Sequence, residues 1–154
     1  MRFLKLLLLI TVMGLWNPAF AQTDEDIMQM SISELETNRQ AIMTTSMRLD
    51  EAASEKFWPA YRAYRADVEP LKQRYLDIVK SYADNYMALT DEQAAKLTKD
   101  YLKLEADKTS IRKKHVKKMQ KAVGNVAAMR FLQIENKMDA VVDFGLAVQI
   151  PLAE

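Results

Sequence analysis

Between Phe57 and Tyr82 the apolar positions follow one another at alternating steps of four and three: Phe57, Tyr61, Tyr64, Val68, Leu71, Tyr75, Ile78 and Tyr82. Only an α-helix gathers positions so spaced onto one side. The stretch is therefore read as one long amphipathic helix, which must bury that side against other elements. A second copy of the unit begins at Leu89-Thr90-Asp91, in register with Leu49-Asp50-Glu51, and continues with Leu97, Tyr101, Leu104 and Ile111 opposite Phe57, Tyr61, Tyr64 and Leu71. Two such helices can cover one another.

The local signals divide the rest of the chain into helices too. Ser33 and Glu36 have the spacing of a capping box, so a first helix is expected to run from there to about Met47 with Leu35, Ile42 and Met43 inward. The second helix follows Asp50 and is expected to reach about Met87, roughly 55 Å at 1.5 Å per residue. Pro59 and Pro70 lie inside it, and because the apolar spacing passes through both, they are expected to bend the helix without ending it. Thr90 with Gln93 makes a second capping box and opens a third helix, with Leu97, Tyr101, Leu104, Ile111 and Met119 on its inner face. Gly124 supplies a left-handed stop. A fourth helix then directs Phe131, Ile134, Met138, Val141, Val142 and Val148 inward, up to Pro151. The expected fold is all-α: four helices, two of them long and curved, in an elongated hairpin-like bundle.

Residues 1–21 are of another kind. Arg2 and Lys5 precede an apolar run from Leu6 to Trp16, and the stretch closes on Ala19-Phe20-Ala21. That is the pattern of a cleaved signal peptide, with a core shorter than the ~18 residues of a spanning helix. The division expected is a signal peptide at 1–21, a flexible acidic arm at 22–32 and a helical domain at 33–154, exported to the periplasm with no stable membrane anchor. Without Arg2 and Lys5, 20 basic residues face 21 acidic ones, a net charge of −1 where the whole chain has +1. No cysteine is present, which excludes a lipoprotein anchor, disulfides and thiolate metal sites. The two glycines beyond residue 21, Gly124 and Gly145, cannot form a phosphate cradle, so ATP-driven work is excluded.

Little in the sequence points to catalysis. His115 falls in line with the third helix's apolar stripe and reads as a packed side chain. The pairs Met28 with Met30 and Met43 with Met47 read as packing and not as soft-metal ligands. No nucleophile, base and orienting group come together, so no enzyme activity, cofactor, metal or nucleic-acid partner is expected. From Lys108 to Lys121, however, seven basic residues occur with no acidic one. Lys113, Lys114, Lys117 and Lys121 collect on the side away from the apolar stripe, and like charges four residues apart repel. A helix dipole accounts for Lys121, near the expected C-terminus, but not for Lys113 or Lys114. These four lysines are therefore the candidate surface for acidic partners.

Leu89-Thr90-Asp91-Glu92-Gln93 matches the LTxxQ motif of the Spy/CpxP family of bacterial periplasmic proteins, and Leu49-Asp50-Glu51-Ala52-Ala53 looks like its degenerate partner. Phe57-Trp58-Pro59-Ala60-Tyr61 and the segment Arg130 to Lys137 resemble those of an exported all-helical subgroup without assigned function. The resemblance implies Leu89, Thr90 and Gln93 as the family motif, a homodimer formed through long helices, and an ATP-independent chaperone or holdase that binds unfolded or acidic envelope proteins. It also implies an alternative, a regulatory or scaffolding adaptor of an envelope stress response.

Overall fold

The computed structural model describes residues 31–153, with no account of the Ile32 side chain; the expected signal peptide and most of the acidic arm lie outside them. The described residues form three helices, with no strand among them, where four helices were expected. They are α1 (Ile32–Met47), α2 (Glu51–Ala83) and α3 (Asp91–Ala147), with a single 3-10 turn at Tyr86–Ala88 between α2 and α3. The all-α class holds and the count does not.

The reason is Gly124. It lies inside α3 with φ 83° and ψ 170°, far from helical values, and no separate loop flanks it. Lys108 nonetheless reaches Asp139 at 3.8 Å and Asp143 at 4.0 Å, and Arg112 pairs with Asp139. In a straight helix, residues 112 and 139 would lie about 40 Å apart. The chain therefore doubles back at one glycine, and α3 consists of two antiparallel arms. The expected left-handed stop had the right sign of φ, but its ψ belongs to an extended conformation open almost solely to glycine.

The other starts and stops follow local chemistry. The cap of α1 is Ser31, two residues earlier than expected: its hydroxyl accepts from the Glu34 N–H at 3.3 Å while the Glu34 carboxylate accepts from the Ser31 N–H at 3.0 Å. Ser33 instead lies within the helix, and its carbonyl accepts from the Thr37 hydroxyl. Arg48 takes φ 51° at the end of α1, and a turn through Leu49 and Asp50 starts α2. The Asp50 carboxylate accepts from the Ala53 N–H at 2.8 Å. As expected, α2 runs through Pro59 and Pro70, but it ends at Ala83, short of Met87.

One core joins the three helices. Leu35, Ile42 and Met43 from α1 and Phe57, Tyr61 and Tyr64 from α2 meet Met119, Phe131, Ile134 and Met138 from both arms of α3. Phe131 anchors it, with its ring edge-on to Phe57 at 6.2 Å, Tyr61 at 6.2 Å and Tyr64 at 5.2 Å. At 16 residues, α1 is half the length of the 33-residue α2. It covers only the half of the bundle nearest Gly124. Past its first turns, Tyr75, Ile78 and Tyr82 of α2 are half-buried, and Tyr101 and Val148, both expected inward, are exposed.

Candidate functional site

The four candidate lysines do not behave as one set. Lys114 Nζ pairs with Asp67 on α2 at 2.7 Å, and the same Oδ2 lies 2.8 Å from Nε2 of His115. Hydrogen bonds from Lys114 and His115 hold the Asp67 carboxyl well below its ordinary value, at about 2. His115 is buried edge-on to Tyr64, the packed position read from its place in the stripe. Lys113, Lys117 and Lys121 are exposed at successive i,i+4 steps and form no ion pair with another described residue. Of the four candidates, Lys113, Lys117 and Lys121 thus form an exposed stripe, with Lys114 turned to the interface between α2 and α3.

The motif residues form a capping unit. The Thr90 hydroxyl accepts from the Gln93 N–H at 3.2 Å, and the Gln93 side-chain carbonyl accepts from the Thr90 N–H at 3.0 Å. Gln93 Nε2 also donates to the Asn85 side chain at 3.1 Å, tying the start of α3 to the residue before the 3-10 turn. Thr90 is exposed, while Leu89 and Gln93 are half-buried. The basic stripe begins twenty residues further along the same arm, at Lys113, so motif and lysines do not form a common site.

A centre that sequence reasoning missed lies deeper. Glu135 is only 1% exposed; Arg39 Nη1 donates to its Oε2 at 3.1 Å and the Tyr61 hydroxyl to its Oε1 at 3.1 Å. The same guanidinium reaches Glu36 at 3.3 Å and Asp139 at 3.8 Å. Burial pushes the Glu135 carboxyl up, and Arg39 only partly opposes that. Burial and the nearby Glu135 carboxylate likewise raise the Tyr61 and Tyr64 phenols. Arg39 Nε is buried without an acceptor among the described residues, a situation that ordinarily costs about 1–3 kcal/mol. The available signal for this centre was the position of Glu135 itself, a charge four residues after Phe131 and three before Met138 on an otherwise apolar stripe.

Chemically, this arrangement holds α1, α2 and the second arm of α3 together through one buried ion pair and a phenol hydrogen bond. Glu135 is enclosed by the core and has no open face toward a substrate. Among the described residues, no three His, Cys, Asp or Glu side chains converge as a metal site. What the surface offers is a cationic stripe and large apolar side chains in water, including Met87, Val126, Met129 and Phe144. No family model, curated protein or solved structure matches this chain.

Proposed function

We propose that this is a periplasmic, ATP-independent chaperone of the holdase type, related to the Spy/CpxP proteins, which binds non-native envelope proteins through transient contacts. The observation that carries the reading is that large apolar side chains stay in water on α2, the turn, both arms of α3 and the tail alike. Leu76 lies on α2, Met87 on the turn, Tyr101 and Leu102 on the first arm of α3, Val126, Met129 and Phe144 on the second, and Leu152 in the tail. Exposed apolar surface contributed by several elements suits contacts with many unfolded chains. The stripe of Lys113, Lys117 and Lys121 adds long-range attraction for acidic chains.

The test is protection of a chemically unfolded enzyme from aggregation on dilution into nucleotide-free buffer. Protection should be present and should weaken as salt rises toward 0.15 M, where the Debye length is ~8 Å. Changing Lys113, Lys117 and Lys121 together to glutamate should slow client capture while the circular dichroism stays helical. Failure of the wild-type protein to delay aggregation at any salt would replace this reading with the adaptor of an envelope stress response. Cross-linking to one partner is then the experiment to run.

A further inference from the structure

Below the N-terminal turns of α1, where that helix no longer covers the bundle, a cleft of about 380 Å³ opens between α2 and the two arms of α3. Val68 and Leu71 of α2, Leu104 of the first arm and Val142 of the second give it an apolar wall. Its far end, away from α1, is of another kind. There Tyr75 of α2, Tyr101 and Glu105 of the first arm and Asp143 of the second come together, close enough that burial and these two carboxylates raise both phenols above their ordinary value. That end is open to water, since Tyr101 is 45% exposed and the Asp143 side chain 65%.

Half of the sixteen lining residues are charged, four basic and four acidic, and their partners decide what the cleft can take. Every cation has an acid in reach: Arg39 has Glu135 at 3.1 Å, Arg65 has Glu69 at 4.0 Å, Lys72 has Glu36 at 2.8 Å and Lys108 has Asp139 at 3.8 Å. An anionic ligand would have to displace one of these acids. Among the acids, Glu36 and Asp139 are thereby paired, Asp139 with Arg112 as well, and Asp143 lies 4.0 Å from Lys108. Glu105 is the exception. It is half-buried in the wall and has neither an ion pair nor a hydrogen bond with another described residue. The lining is therefore one positive charge short, and short of it at the end where the two tyrosines stand. A partly shielded carboxylate beside aromatic rings is the surrounding that favours an ammonium group.

We propose that this cleft binds one small amphipathic amine in its ammonium form, with the charge between Glu105 and Asp143 beside the rings of Tyr75 and Tyr101, and an apolar body against Val68, Leu71, Leu104 and Val142. The charge selects the ligand, and burial of the apolar body supplies most of the affinity. The site is separate from the basic stripe and does not rest on the chaperone reading.

Isothermal titration calorimetry of the purified protein with octylamine at about pH 7, where the amine is protonated, tests it against octanol and octanoate, the neutral and anionic compounds of the same chain length. Saturable one-to-one binding of octylamine is expected, with octanol and octanoate weaker by about tenfold or more. Nα-acetyl-lysine methylamide, which carries the same ammonium on a polar body, should also be about tenfold weaker. Glu105→Gln should weaken octylamine binding by about fivefold or more without lowering the melting temperature, because the carboxylate has no ion pair in the fold to lose. Tyr101→Ala, at a wall position 45% exposed, should weaken it several-fold. Glu55→Gln, an exposed carboxylate in the other half of α2, should leave it unchanged. Absence of saturable binding, octanol, octanoate or the lysine derivative binding as tightly as octylamine, or a Glu105→Gln loss no larger than that of Glu55→Gln would each overturn the proposal.

Discussion

Arg39 and Glu135 stand where an unpaired charge is most expensive. Each is almost wholly removed from water, and each is the other's nearest opposite charge. Removing one partner of such a pair leaves the other charge buried and uncompensated, which costs about 3–5 kcal/mol. Arg39→Met should lower the unfolding free energy by that amount in urea titrations. Adding Glu135→Gln, which removes the charge but keeps an acceptor for the Tyr61 hydroxyl, should recover most of the loss. If the double variant is no more stable than the single, burial of the Glu135 charge is not the cause. Asp67 supplies the acid limb of the stability profile. Because its folded-state value of about 2 lies below the ordinary ~3.9, its contribution is present above about pH 4 and is lost as the pH falls toward 2. Glu135 is shifted the other way and has the opposite sign, favouring the folded state as it takes up a proton. Melting temperatures measured from pH 5 to 2 should therefore fall less steeply in Asp67→Asn than in wild type.

At the scale of the element, helix starts are set by side chains within three residues of one another, which is why they can be read so directly. Asp50 and the pair Thr90 and Gln93 cap where expected. The first helix begins at Ser31 and not at the expected Ser33: Ser31-x-x-Glu34 and Ser33-x-x-Glu36 are equivalent as patterns, and the pattern alone does not rank them. If the Thr90 hydroxyl acts mainly as a cap, Thr90→Ala should cost ~1 kcal/mol and leave client protection per folded molecule unchanged. Lost protection at an unchanged melting temperature would make Leu89, Thr90 and Gln93 a binding surface instead. Gly124 has a stronger requirement. A Cβ placed there would meet nothing within 4 Å, so the whole penalty of Gly124→Ala is backbone strain. That penalty is about 1–3 kcal/mol for so rare a conformation. A variant as stable as wild type in urea would show that the reversal does not need glycine.

Across the whole molecule, the short α1 leaves one half of a long bundle with a layer missing. Tyr101 and Val148, both on stripes that point inward by spacing, are exposed there for want of a covering helix, and Leu76 and Phe144 are exposed in the same half. Self-association is the simplest way for such a half to bury more apolar surface. Sedimentation of the purified protein should show a homodimer at micromolar concentration, and Phe144→Glu together with Val148→Glu should shift it toward monomer. A wild-type protein that sediments as a monomer would leave the exposed side chains to clients alone.

By itself the sequence determined much of what has its cause within one or two helical turns: the all-helical class, the inward stripe of α2 as far as Leu71, the caps at Asp50 and Thr90, and the need for a positive φ at Gly124, though not the cap of α1. Period and capping chemistry are local, so they survive being read in one dimension. Tertiary structure alone decided the pairing of Arg39 with Glu135, 96 residues apart, and that of Lys114 with Asp67, 47 apart. It also decided the return of the second arm of α3 onto the first. Whether a charge in a stripe is buried, a lysine is already paired or a tyrosine lacks a cover depends on which distant helix lies opposite. That choice is made by the reversal at Gly124 and the short reach of α1, which no repeat or motif records.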